Sequence, residues 1–150
     1  MDALKLLEED HKKVKKILSD LDSTTERGVK TREELYTKVK QELTVHEAIE
    51  EEIFYPALKD HPKAKELVLE AYEEHHVVDN VMAEIDGLSF DDEKWGAKLS
   101  VMKENLEHHI EEEEDEMWKQ ARQVFSDDEL EELGVRMQQR KDQLEQQPVL

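Results

Sequence analysis

His46 and Glu50 stand four residues apart, and so do His109 and Glu113. At that spacing each pair projects from one face of a helix. A buried glutamate is costly unless it is paired or bound to a cation, so two such pairs on interior faces point to metal binding. Helical period then selects among the seven histidines. His75 falls in line with Ala71, Val78 and Met82, whereas His76 points about 100° away. His109 falls in line with Met102, Leu106 and Glu113, whereas His108 lies on a flanking face. His61 sits in a turn before Pro62 and is assigned no role. His11 completes the set, giving one interior histidine on each of four long helices.

Four imidazoles and two carboxylates supply six ligands around one cavity. If each carboxylate bridges, two ions receive two histidines apiece and both carboxylates. Positions then remain for a bridging oxygen and an exogenous ligand. This nitrogen and oxygen set, with no cysteine in the chain, suits iron, with manganese, zinc and copper as alternatives. An open position on a redox metal is what oxygen or peroxide chemistry requires. A lone interior histidine is more often a hydrogen-bonded core residue, but four in register with two glutamates are not explained that way. The acidic runs at 50–52 and 111–116 otherwise read as solvated faces. Tyr55 and Tyr72 are expected to pack at helix interfaces, with a redox or hydrogen-bonding place near the centre as the alternative, and Met82, Met102 and Met117 to fill core.

An internal repeat supports the grouping. EEDHKKVKKILSDLD, from Glu8, aligns with YEEHHVVDNVMAEID, from Tyr72, and superposes His11 on His75. In the register of His46 on His109, Glu50 falls on Glu113, Glu51 on Glu114 and Tyr55 on Trp118. Two helical hairpins therefore present the same residues about an approximate twofold.

The elements that must position them are long amphipathic helices. The first is expected over 3–21, with Leu4, Leu7, Val14, Ile17 and Leu21 on one face. Thr31 and Glu34 read as a capping box opening the second, whose stripe runs Leu35, Val39, Leu43, His46, Glu50 and Ile53 toward an end near Pro56. Pro62 suits the first position of the third, which carries Leu67, Ala71, His75, Val78, Met82 and Ile85 and stops at Gly87. The fourth is placed from near Asp91 to around Arg122, with Trp95, Leu99, Met102, Leu106, His109 and Glu113. Ser126 and Glu129 form a second capping box for a shorter helix over 127–146, with Leu130, Leu133, Met137 and Leu144 on its apolar side. Short connections between four such helices imply an all-α, up-down-up-down four-helix bundle. The bundle occupies residues 1–125, and 126–150 form a C-terminal helix and tail packed on or beside it, with 147–150 disordered.

Composition narrows the partners. Charged residues make up 41% of the chain and aromatics 5%, which favours long helices over a sheet. A net charge of −19 argues against nucleic acid and against anionic lipid, which need a basic surface. No apolar run approaches the length of a membrane span. The opening stretch MDALKLLEEDHKK reads as an amphipathic helix rather than a secretion signal, so a cytoplasmic location is expected. No oligomeric state is readable.

The motifs EEDH around His11, HEAIEEEIFYP around His46, EEHH around His75 and EHHIEEEE around His109 together resemble the hemerythrin-like (HHE cation-binding) domains over roughly residues 2–125. The resemblance implies a non-haem di-iron centre of two iron ions, oxo- or hydroxo-bridged, with manganese or zinc fitting less well. It implies His11, His46, Glu50, His75, His109 and Glu113 as ligands, and Glu47 as a further candidate, because the HE pair adds a ligand in some relatives. Oxygen, peroxide or nitric oxide is the implied small ligand, and dismutation of peroxide, in the manner of a catalase, is one implied activity. Non-enzymatic binding, storage or sensing of iron or oxygen is the other implied role. The oxygen-carrying hemerythrins show HxxxH in the third helix and HxxxxD in the fourth. Here Asp79 follows His75 at that spacing, and Glu113 follows His109 at one residue less. One imidazole is therefore missing, its place left to water, Glu47, Asp79 or nothing.

Overall fold

The computed structural model describes residues 1–147. They form five helices, and no strand occurs among them. Helix α1 spans Ala3–Asp22 and is capped by Asp2, whose carboxylate accepts from Lys5 N at 2.9 Å. Helix α2 begins as Val29–Ile49, passes through a π-helical turn at Glu50–Phe54 and ends as Tyr55–Lys59. Helix α3 is Lys65–Asp86. Helix α4 repeats the pattern of α2, with Trp95–Glu112, a π-helical turn at Glu113–Met117 and Trp118–Val124. Helix α5 is Asp127–Glu145.

Helices α1 to α4 make the four-helix bundle, with α1 against α2 and α4, and α3 against α4. Helix α5 lies along α1 and α2. Apolar side chains collect in two layers, one around Leu7, Ile49, Phe54, Leu58, Trp118 and Met137. The other surrounds Leu18, Val39, Leu43, Val78, Met102 and Trp95. Along each bundle helix the interior histidine separates the residues of one layer from those of the other, so a polar layer is clamped between two dry ones. Burial on this pattern is the main force ordering the helices.

The expected stripes are buried with two adjustments. Leu18 rather than Ile17 is fully buried on α1, and Leu35, Ile53, Leu67 and Leu144 are only partly covered. Three helix starts differ from expectation. Thr31 does not cap α2. Gly28 does, without a side-chain bond, and Arg32 N donates to Gly28 O at 2.8 Å. The cause is Arg32, buried with its guanidinium on Thr24 Oγ1 and Phe90 O and over the Trp95 ring at 4.6 Å. That anchor draws the helix start toward the preceding loop. Pro62 lies in a turn closed by Ala64 N on His61 O, and α3 begins three residues later, where Ala64 and Val68 become buried. The fourth helix starts at Trp95, because Asp92 takes Lys94 N on its side chain and holds a local turn.

The capping box of Ser126 and Glu129 forms as expected, with both reciprocal bonds present. Gly134 lets α5 approach the backbone of Met1 to Ala3 closely. A Cβ there would collide with Met1 O. Of the expected disordered end at 147–150, all but Gln147 lies outside the described residues. No described helix is long and apolar enough to cross a membrane.

Candidate metal centre

The six side chains singled out by spacing meet in the polar layer, and every one of them is buried. His11 and His46 lie with ring centroids 4.9 Å apart, and His75 and His109 lie 5.0 Å apart, so each hairpin contributes one pair. The glutamates join the pairs. Glu50 Oε1 stands 3.1 Å from His46 Nε2 and 3.2 Å from His75 Nε2. Glu113 Oε1 stands 3.2 Å from His11 Nε2, and its Oε2 stands 3.3 Å from His109 Nε2. Each carboxylate therefore faces one imidazole of both pairs. The donor atoms of His11, His46, Glu50 and Glu113 all lie within 4.8 Å of one another, as do those of Glu50, His75 and His109.

These atoms are close yet poorly aimed at each other for hydrogen bonding. Nε2 of His11, His46 and His109, both oxygens of Glu50 and Oε1 of Glu113 are buried with no hydrogen-bond partner. Orphaned buried groups carry a penalty of about 1–3 kcal/mol each. Here six of them converge on one small space, which is the arrangement a bound cation would satisfy. The residues fit a metal.

The far sides of the rings are fully engaged. Nδ1 of His11 donates to Glu114 at 2.7 Å, of His46 to Asp10 at 3.0 Å, of His75 to Glu51 at 3.1 Å and of His109 to Glu74 at 2.8 Å. This fixes each ring with Nε2 toward the cavity, the tautomer a metal-binding histidine needs. The four carboxylates follow the repeat. Asp10 and Glu74 precede His11 and His75 by one residue, and Glu51 and Glu114 follow Glu50 and Glu113 by one. Each reaches across to a ring on another helix. The sequence pattern places Glu51 and Glu114 in solvated runs and assigns Asp10 and Glu74 no role. Their constant offset of one residue from a candidate ligand, in both repeats, was the signal.

Imidazoles and carboxylates of the layer lie at ion-pair distance from one another. Burial alone would depress the His109 imidazole, but Glu113 and Glu74 outweigh it and carry its pKa up to about 10. Burial likewise opposes charge on His46 and His11, and the carboxylates beside each overcome it. Burial pushes Glu113 up, while the nearness of Glu50, His109 and His11 holds it well below the usual carboxylate range.

Two further side chains enter the site through the π turns. In such a turn the N–H of residue i+5 reaches the carbonyl of residue i, as Tyr55 N does to Glu50 and Trp118 N to Glu113. The wider turn carries residue i+5 to the face an α-helix gives to i+4. Tyr55, fully buried, thus donates its hydroxyl to Glu113 Oε2 at 2.6 Å and stands 3.3 Å from His75 Nε2. Trp118 stacks on His11, with centroids 5.7 Å apart and planes 8° from parallel. Tyr55 was expected to be interface packing. It lies within the polar layer. Tyr72 does sit at an interface, its hydroxyl 3.4 Å from Glu51 O.

Glu47 is not in the group that includes Glu50 and Glu113, though its Oε1 is likewise buried with no hydrogen-bond partner. It groups with Glu51 and His75, and burial followed by the nearby Asp79 raises its carboxyl to about 10. His76 and His108 are exposed, and His61 packs edge-on against Phe125 in the turn.

The family model for the hemerythrin HHE cation binding domain matches residues 2–121. The crystal structure of a hemerythrin HHE cation binding domain-containing protein from Mycobacterium kansasii superposes with a TM-score of 0.85. It is 28% identical, and the alignment covers 96% of this chain and 87% of that one. No curated protein matches at a significant level.

Proposed function

From the premise that this chain belongs to the hemerythrin HHE cation-binding family, we propose that it holds two iron ions in the polar layer and acts on a small oxygen-containing ligand, with peroxide dismutation as the reaction. The observation that carries this reading is the convergence of orphaned imidazole and carboxylate atoms from both hairpins on one buried space. His11 and His46 would hold one ion, His75 and His109 the other, and Glu50 and Glu113 would serve both. Two iron ions, when bound, would supply electrons and open positions for oxygen, peroxide or nitric oxide.

The protein's own side chains define what can reach them. The cleft between α3 and α4 that touches His109 and Glu113 holds about 10 Å³, near the space of a single water molecule. A passage this tight excludes large substrates. Leu67, Ala71 and Met117 line it and keep bulk water out, while Glu70, Glu74 and Glu112 make its outer part acidic. Tyr55 can hold a proton at its hydroxyl, which burial, Glu113 and Glu50 keep from ionising. From there the O–H can turn between Glu113 and a ligand beside His75, donating a hydrogen bond while keeping its proton. Dismutation of two peroxides to oxygen and two waters needs no outside reductant, so no larger co-substrate has to reach the site.

The test is oxygen evolution from hydrogen peroxide by protein of known iron content, beside a Glu113→Ala variant. Evolution that scales with iron and collapses in the variant supports dismutation. An unchanged rate in the variant counts against catalysis here. Iron retained with no evolution in either protein leaves a binding or sensing module instead.

A further inference from the structure

The four carboxylates that hold the imidazoles are not equivalent. Glu114, Glu51 and Glu74 are 31%, 39% and 23% exposed at the side chain, so water shares in solvating them. Asp10 is 2% exposed. A carboxylate so deeply buried needs more than one imidazole N–H. The second partner comes from outside the bundle: Lys141 of α5 donates its ammonium to Asp10 Oδ1 at 2.6 Å, while Asp10 Oδ2 takes His46 Nδ1 at 3.0 Å. Lys141 is itself buried, in line with Met137 one turn earlier on the helix face that packs on α1 and α2. No described lysine or arginine bonds Glu51, Glu74 or Glu114.

We propose that Lys141 is a positioning residue for the metal centre, acting through Asp10 to aim His46, so that the C-terminal helix completes one of two metal positions and makes the pair inequivalent. The helix that does this lies beyond the part of the chain matched by the family model. The proposal rests on His46 being a ligand, as argued above. With Lys141 present, both Asp10 oxygens are fixed and the ring can present Nε2 at one angle. Without it, Asp10 keeps a single buried bond and is free to rotate from His46. Outer partners of ligating histidines change metal affinity about 10–100-fold when removed. The loss should fall on the His11 and His46 position alone, since His75 and His109 have their own partners on α2 and α3.

The experiment is an anaerobic titration of the full chain with ferrous iron against a competing chelator, for the parent, Lys141→Met and Lys141→Arg. Two ions are expected to bind the parent. In Lys141→Met, one should bind about 10–100-fold more weakly and the other unchanged, with recovery in Lys141→Arg. Asp10→Asn, which leaves the methylene contacts of α5 intact, should reproduce the selective loss, and combining it with Lys141→Met should add little. Circular dichroism establishes that each variant is folded, and if Lys141→Met is not, Asp10→Asn carries the comparison. Equal weakening at both ions, or a lower melting temperature with both affinities intact, would mean that Lys141 only packs α5 and would overturn the proposal. A parent that binds no iron would remove the two-iron reading itself, a failure distinct from two ions bound alike by every variant.

Discussion

Replacing Tyr55 by Phe isolates a contribution that helical period hides. The ring is fully buried against Tyr72 and His75, so Phe fills the same space and leaves no cavity. What disappears is the hydroxyl and its 2.6 Å bond to Glu113. A hydrogen bond to a charged group is worth about 1.5–3 kcal/mol net. For a chain of this length each kcal/mol moves the melting temperature by about 2–4 °C, so the metal-free protein should melt roughly 3–12 °C lower. Tyr72→Phe provides the comparison, because its hydroxyl makes a 3.4 Å contact to a backbone carbonyl and should cost less than about 1 kcal/mol. The assay is thermal unfolding by circular dichroism in excess chelator. Equal melting temperatures for Tyr55→Phe and the parent would refute the claim that this hydroxyl belongs to the polar layer. The same variant, loaded with iron, should dismutate peroxide more slowly if the hydroxyl donates a hydrogen bond there.

The metal-free protein should lose stability as pH rises. His109, His46 and His11 have folded pKa values raised above their ordinary 6.5, so their contribution is full below about pH 6.5 and drains away above it, for His109 up to about pH 10. Glu113, held low, works in the opposite sense only below its ordinary 4.5. Melting in chelator should therefore decline from about pH 6 to pH 9, and a rise across that window would contradict the pairing. Iron binding displaces those protons, so the loaded protein should gain relative to the metal-free one over the same range. Trp118, stacked on His11, should report loading. In a Trp95→Phe variant, ferrous iron should quench most of the remaining emission, and persistence of full emission would place the ion elsewhere. Arg32→Ala removes a buried guanidinium that bonds Thr24 and Phe90 and covers Trp95. It should cost about 3 kcal/mol in chemical denaturation while leaving iron affinity unchanged, because it lies in the other apolar layer from Trp118.

How much was legible follows from which geometry is periodic. His11, His46, His75 and His109 lie on regular α-helix, with two glutamates one turn on, so a count of residues placed all six on the interior. The bundle followed from the stripes around them. Interface packing was the favoured reading of Tyr55 over a place near the centre, since the π turn at Glu50–Phe54 breaks the period on which the count depends. The repeat alone hinted at it, by setting Tyr55 against Trp118. Helix starts were misplaced where a tertiary anchor outweighed a local signal, as Arg32 did over the Thr31 box. Lys141 occupies a position in the apolar stripe of α5, between Met137 and Leu144. A lysine there is the mark of a buried ion pair, but its partner, 131 residues away, appears only in the fold.

The central claim is that both hairpins share one two-ion centre. Iron and protein should be quantified together after purification without added metal, in the parent and in Glu50→Ala and Glu113→Ala. The account predicts two iron ions per chain in the parent and a fall at both positions in either variant, because each glutamate faces both histidine pairs. A single ion in the parent, or a variant that loses one ion and keeps the other at full affinity, would contradict it.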